Sequence, residues 1–383
     1  MATCASVAVL GCGPDDNGGT TSSSSSGSGG GGGGGAGSCL DPSTHADVLS
    51  INDSGFCVVA AFDAEYDPNH FIGNITWGRH GGLLFTRAGM NGLITTTRFF
   101  AAPSATTGKL TGDSLDIQVG LPNGSFFGGS ALDLPFFNWT LVSYTNPDPL
   151  VTGEIILIQG TSVVLRYPIN GFYSAAAVGG GMDPLGRLVY SGLSPIFKNA
   201  TSTNALYAAD ACGAIGNMPR LVSDGDMTCK DSFAIETFGS GSGPVAADLA
   251  GNVFTVMLGD MGQEARGYAA DMVKRGTDAA MGTSLFTIPG FGGSLAAVAP
   301  DDTGSGVVVF QPSDPTTFEW LDAVAQRYAI EGGKVVAQGT VGPFMTSPTK
   351  NTQFNFTTDD QGRIWIAIKR SSDYAVLVVA RKA

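Results

Sequence analysis

Residues 356–366, Phe-Thr-Thr-Asp-Asp-Gln-Gly-Arg-Ile-Trp-Ile, read as a strand, a tight turn and a second strand. In the turn, Asp359 can accept backbone N–H bonds while Gly362 takes the positive φ that closes it. The same strand, Asp-x-x-Gly, strand pattern recurs three times upstream. Val245-Ala246-Ala247-Asp248-Leu249-Ala250-Gly251-Asn252-Val253-Phe254 is one copy. Leu295-Ala296-Ala297 followed by Asp301-Asp302-Thr303-Gly304 and Val307 to Phe310 is another. Ala175 to Val178 followed by Asp183-Pro184-Leu185-Gly186 and Arg187-Leu188-Val189 is a third. The glycines Gly186, Gly251, Gly304 and Gly362 follow one another at 65, 53 and 58 residues.

A hairpin repeating at that period predicts the blades of a β-propeller. Stacked repeats of a β-solenoid would show a similar period, but units of more than 50 residues favour four-stranded blades. Continuing the spacing upstream selects Asn52-Asp53-Ser54-Gly55 and, less closely, Leu121-Pro122-Asn123-Gly124. The fold class expected is therefore all-β: one propeller of six blades, with seven the alternative. Alanines ahead of the turns suit inner strands, where room near the axis is small. The runs Phe56 to Phe62, Glu154 to Ile158, Ser162 to Tyr167 and Tyr374 to Val379 have strand composition and length. Phe318 to Ile330 carries some helical pattern, but Gly332-Gly333 and the β runs around it make it strand. The final run has no blade after it, so it should pair with the first unit near Val48 to Ile51 or Phe56 to Ala60; an open array would leave β edges exposed.

DDQGRIWI (359–366) and DLAGNVF (248–254) resemble the turn of NHL-like and two-component-regulator-type β-propellers. That resemblance implies the propeller architecture and little about activity, because such folds serve as scaffolds, binders, lactonases and lyases.

The chain ahead of the repeats has a different character. Ala5 to Leu10 is small and apolar and runs into Gly11-Cys12. Val9-Leu10-Gly11-Cys12 resembles the lipobox of bacterial lipoproteins, which implies that Cys12 becomes the lipid-bearing mature N-terminus. The stretch from Thr20 to Ser38 is Thr, Ser and Gly with one alanine. It cannot offset its ordering entropy by burial and reads as a flexible tether. The expected organisation is a leader over 1–11, a tether over 12–38 and the propeller over 39–383. No later apolar run approaches the ~18–20 residues a membrane-spanning helix needs. The expected anchor is therefore N-terminal lipid or nothing, and the expected location the cell envelope.

With 383 residues, 43% hydrophobic and 14% charged, the chain can bury a large core. Its net charge of −13 argues against a phosphate-backbone partner, so no nucleic acid is expected. Beyond Cys4 and the lipobox Cys12 stand Cys39, Cys57, Cys212 and Cys229. Four cysteines allow three pairings. The sequence-local ones, Cys39–Cys57 and Cys212–Cys229, are the expectation, since hairpins bring such positions together; buried reduced thiols are the alternative. Disulfides fit an oxidising compartment.

Candidate chemistry is sparse. The histidines are His45, His70 and His80, and the serines of Gly239-Ser240-Gly241-Ser242-Gly243 do not form a nucleophile elbow. Asp63, Glu65, Asp67 and Asn69 alternate as in the start of a calcium loop, but the glycine and distal glutamate are missing, which favours a solvated acidic loop. Gly179-Gly180-Gly181 leads into Met182-Asp183-Pro184 rather than a phosphate-binding Lys-Ser. Trp77, Trp139, Trp320 and Trp365 lie in different units and are expected in inter-blade cores. The sequons at Asn52, Asn74, Asn123, Asn138, Asn199 and Asn355 carry no weight behind a lipobox-like leader. No catalytic, cofactor or metal residues are assigned. The function expected is a monomeric, lipid-anchored binding or scaffold module for a protein or glycan. The rivals are a propeller hydrolase or lyase with a channel metal, and a secreted structural or adhesive protein without lipid.

Overall fold

Among the described residues, twenty-five strands and two short helical turns make up the regular structure of a computed structural model of the chain. It describes residues 38–45, 47–66, 75–78, 81–88, 93–102, 104–118, 132–133, 139–144, 153–159, 162–169, 181–182, 188–192, 205–209, 233–237, 242–259, 262–275, 282–288, 293–349 and 351–382. Strand β1 (Phe56–Ala64) comes first, then β2 (Thr76–Trp77), β3 (Leu83–Ala88), β4 (Leu93–Phe100), β5 (Thr107–Lys109) and β6 (Thr111–Gln118). Next come β7 (Leu132–Asp133), β8 (Trp139–Tyr144), β9 (Gly153–Gln159), β10 (Ser162–Ile169), β11 (Gly181–Met182), β12 (Leu188–Gly192), β13 (Ala205–Ala209) and β14 (Phe233–Thr237). They are followed by β15 (Ser242–Ala247), β16 (Val253–Gly259), β17 (Gly262–Tyr268), β18 (Thr283–Ile288), β19 (Leu295–Val298), β20 (Gly306–Phe310), β21 (Ala323–Glu331) and β22 (Lys334–Met345). The last are β23 (Phe354–Thr358), β24 (Ile364–Lys369) and β25 (Tyr374–Arg381).

The described strands form six sheets, and consecutive strands neighbour one another in each. The first is β2-β3-β4-β6, the second β7 to β10, the third β11 to β14, the fourth β15 to β18 and the fifth β19 to β22. The sixth runs β23-β24-β25-β1-β5, so the N-terminal strand completes the C-terminal sheet. First strands of successive sheets touch: β11 and β15, β15 and β19, β19 and β23, and β23 and β2. The architecture is a β-propeller, and Phe318 to Ile330 enters it as the loop before β21 and that strand.

Closure follows from the composition of the last strands. Ile364 to Ile368 and Tyr374 to Ala380 are unbroken apolar runs because both faces are covered. Ile364, Ile366, Leu377 and Val379 face the seam with the fifth sheet; Trp365, Ala367, Val376 and Val378 face the seam with the first. Strand β1 adds Phe56 and Val58 to one side and Ala60, Phe62 and Ala64 to the other. It pairs antiparallel with β25 from Phe56↔Arg381 to Ala64↔Tyr374, through a bulge between Val58 and Ala60. The disulfide Cys39–Cys57 fastens the preceding segment to this strand.

Three Asp-x-x-Gly turns share one hydrogen-bond scheme. The Gly251, Gly304 and Gly362 N–H groups donate to the carbonyls of Asp248, Asp301 and Asp359 at 3.1, 2.8 and 3.1 Å. Each aspartate side chain accepts from the N–H two residues on, at Ala250, Thr303 and Gln361, 2.9 Å in every case. The glycines have φ of 89°, 78° and 74°. A branched side chain is strained there, so Gly251→Val should cost more than ~1 kcal/mol. Chemical denaturation would measure it, and wild-type stability would refute the account of the turn.

One of the six expected turns needs correction. Asn52-Asp53-Ser54-Gly55 is not an inner hairpin: it leads into β1, the fourth strand of its sheet, and Gly55 is absent from the residues at positive φ. Asp53 instead binds Arg327 at 2.7 and 3.0 Å. The inner hairpin of the first sheet is closed by Gly78 to Gly82, where the Gly81 N–H donates to the Gly78 carbonyl and the Gly78 N–H to that of Gly82. This is the Asp-x-x-Gly scheme with glycine in place of aspartate. Leu121 to Gly124 lies outside the described residues. Asp183 to Gly186 is also outside them, but Met182 and Leu188 on either side pair as a hairpin requires.

Candidate functional site

The chain leaves β1 at Ala64, and residues 65–66 line a cleft at the outer seam between the sixth and first sheets. Strand β5 runs parallel to β1, and after a single residue, Leu110, the chain becomes β6 on the edge of the first sheet. The Leu110 N–H donates to the Asp63 carbonyl at 2.8 Å, and Ala61 donates to Thr106 at 2.8 Å, which pins this crossover. The cleft has a volume of about 260 Å³ and is lined by Glu65, Tyr66, Thr97, Phe99, Leu110, Gly112 and Ser114.

Its side chains are placed by strand alternation. Thr95, Thr97 and Phe99 share one face of β4, opposite Asp116, Ser114 and Gly112 of β6. The Thr97 and Ser114 hydroxyls lie 2.8 Å apart, and Thr95 donates to Asp116 at 2.5 Å. Gly112 leaves room: a Cβ there would stand 2.9 Å from Phe99 Cε1 and 3.3 Å from Thr97 Cγ2. The apolar lining is rigid, for Tyr66 packs edge-on against Phe85, Phe99 and Tyr374 at centroid distances of 5.2, 6.2 and 6.0 Å. At the rim Lys109 pairs with Glu65, whose hydrogen bond and charge hold the ammonium above its ordinary range.

A second charged group sits close by. His45 Nδ1 is 3.7 Å from Asp47 and Nε2 is 3.6 Å from Asp63. The Asp47 N–H donates to Nδ1, which puts the proton of a neutral ring on Nε2, towards Asp63. Arg370 joins them with Nη1 2.6 Å from Asp47, Nη2 2.7 Å from Asp63 and Nε 2.7 Å from Asp373. Arg370 thus supplies the cation that three carboxylates would otherwise seek, and the group ties the segment before β1 to the β24–β25 loop. The alternating run from Asp63 is drawn apart, Asp63 to Arg370 and Glu65 to Lys109; Asp67 and Asn69 lie outside the described residues.

Trp77 and Trp365 meet across the seam of the first and sixth sheets at 4.8 Å, as expected of core residues. Trp320 differs: it is half-buried in the loop between β20 and β21. The side chain of Trp139 is outside the described residues, as are His70, His80, Ser240, Cys4, Cys12, Cys212 and Cys229. Asn355 is 3% exposed, so that sequon is closed once the chain has folded.

Sequence reasoning missed the cleft because Thr and Ser are ordinary strand residues. Only the lone Gly112 inside a strand hinted at a special approach. No protein-family model and no curated protein matches the chain. Among solved structures, a glucose dehydrogenase aligns at TM-score 0.47 and 13% identity, over 83% of this chain and 99% of that one. The soluble aldose sugar dehydrogenase of Escherichia coli, in its apo-form, aligns at 0.42 and 11%, over 87% and 100%. A mutant lectin of Aleuria aurantia in complex with Fucalpha1-6GlcNAc aligns at 0.42 and 13%, over 78% and 88%. At these scores the likenesses add nothing to the fold, which rests on the sheet order above.

Proposed function

We propose that this chain is an exported binding module, lipid-anchored at Cys12 and held from the cell envelope by its Ser/Gly tether, with its ligand site in the cleft between the sixth and first sheets. The observation that carries the reading is the cleft itself: a cavity with both hydroxyl and aromatic lining, on a wall held by strand pairing and aromatic packing. The Cys39–Cys57 pairing supports an oxidising compartment. No helix among the described residues is long and apolar enough to cross a membrane. The lipobox-like Val9-Leu10-Gly11-Cys12 is therefore the anchor that the reading invokes.

Expression in a bacterial host with a fatty-acid probe tests the anchor. The wild-type chain should take up label and partition into detergent, and Cys12→Ser should lose both. Equal labelling of the two would remove the anchor. Perturbation of Tyr66 and Phe99 NMR signals by small-molecule fragments tests the cleft. A library leaving both unmoved would refute it as the binding site.

A further inference from the structure

We infer that the cleft at the seam of the sixth and first sheets takes one ring of an uncharged polyhydroxylated compound, a single neutral sugar residue. This rests on the proposed role of the cleft as the ligand site and adds the class of ligand. The lining has two kinds of surface. Tyr66 and Phe99 offer aromatic ring carbon and Leu110 aliphatic carbon, and Gly112 omits the Cβ that would crowd the Phe99 ring. Thr97 and Ser114 present hydroxyls 2.8 Å apart, each able to donate and to accept. A sugar ring combines a C–H face with a girdle of hydroxyls, and it needs both kinds of surface together. Along the same face Thr95 fixes the exposed Asp116 carboxylate, an acceptor for a further hydroxyl outside the cleft.

Charge and size narrow the class. Lys109, the cation at the rim, is paired with Glu65, so a phosphate or carboxylate on the ligand would compete with an ion pair already formed. The net charge of −13 repels anions from a distance. A volume of about 260 Å³ falls below the roughly 300–1,000 Å³ of typical small-molecule sites, which leaves room for one ring and excludes a dinucleotide. The Thr97–Ser114 bond uses one of the two hydroxyl protons, and a purely apolar ligand would offer the other no acceptor, which is unfavourable.

The test titrates the full-length chain with methyl glycosides of common neutral hexoses, with glucuronate and glucose 6-phosphate, and with p-cresol. Calorimetry supplies affinity, and NMR shifts at Tyr66 and Phe99 supply location. Neutral glycosides should shift both residues and bind at least tenfold more tightly than either anion. Ser114→Ala, at an exposed position, and Thr97→Val should each weaken glycoside binding at least fivefold while near-UV dichroism remains that of the folded wild type. Anions binding as well as neutral glycosides, or affinities unaffected by both variants, would overturn the assignment. If p-cresol shifts Tyr66 and Phe99 while no glycoside does, the sugar assignment fails and the cleft survives as a site. If no probe shifts either residue, both readings fail.

Discussion

Deleting residues 1–64 should leave no folded population, whereas deleting residues 1–35 should leave the thermal midpoint where it was. The shorter deletion removes a stretch whose Ser/Gly composition can bury little, and none of the strands described above. The longer one removes β1, which fills both seams of the closing sheet. Phe56, Val58 and Phe62 are 1%, 3% and 2% exposed. At ~1.5–3 kcal/mol for each fully buried side chain, these three contribute on the order of 5–9 kcal/mol. A reference to a compact unfolded chain lowers that figure somewhat. Native domains have only ~5–15 kcal/mol in total, so the loss is of the size of the whole stability. It would also bare Val376 and Val378 and free the edge of β25, an invitation to aggregate. Near-UV dichroism and limited proteolysis of the two deletions would decide the matter. A folded 65–383 protein would show that the ring does not depend on its N-terminal strand.

How far the sequence could be read depended on whether the decisive chemistry was local. An Asp-x-x-Gly turn is local: Asp359 binds N–H groups two and four residues on, and Gly362 lies three residues away. Such turns were legible, and so was closure, because Tyr374 to Ala380 is too uniformly apolar to leave a face or an edge in water. The Gly78 to Gly82 turn was not, since glycine replaces the aspartate that marks the motif. Asn52 to Gly55 misled for the converse reason. Asp53 does accept the Gly55 N–H, at 2.8 Å, but the turn introduces an outer strand and its carboxylate serves Arg327, 274 positions away.

The candidate site depended on distant partners throughout. Asp47 and Arg370 are 323 positions apart. The cleft needs the end of β1 beside β4 and β6, a juxtaposition that arises only because the chain starts in one sheet and crosses to the next. No spacing rule links Tyr66 to Ser114. What strand alternation could have offered is the row Thr95, Thr97 and Phe99 on one face, without its opposite wall.

Replacing Gly306 by alanine should cost about 2–6 kcal/mol, although the change adds one methyl group and Gly306 is not at positive φ. Gly306 pairs with Tyr328 across β20 and β21, and the tyrosine ring lies over it. A Cβ on Gly306 would stand 2.2 Å from Tyr328 Cζ and 2.6 Å from its hydroxyl oxygen. The ring cannot simply move aside. It is fully buried, packs on Phe254 at 4.7 Å, and its hydroxyl donates to Asp248 in the turn of the neighbouring sheet. Displacing it adds the cost of overpacking, ~1–3 kcal/mol, to that of leaving a buried polar pair unmatched, again ~1–3 kcal/mol. Gly342→Ala is the control, because nothing lies within 4 Å of the added carbon; it should change stability by less than ~0.5 kcal/mol. In the double variant Gly306→Ala/Tyr328→Ala the two costs should fall well short of adding, since both remove the same contact. An independent sign comes from pH. Burial, with Asp248 next, pushes the Tyr328 hydroxyl well above its ordinary value of 10.0. A group raised in this way contributes stability in full below about pH 10 and loses it as pH climbs through the folded value. Tyr328→Phe should therefore lack part of the alkaline unfolding limb that the wild type shows. Equal stabilities for Gly306→Ala and Gly342→Ala in urea would mean that Tyr328 does not hold the fourth and fifth sheets together.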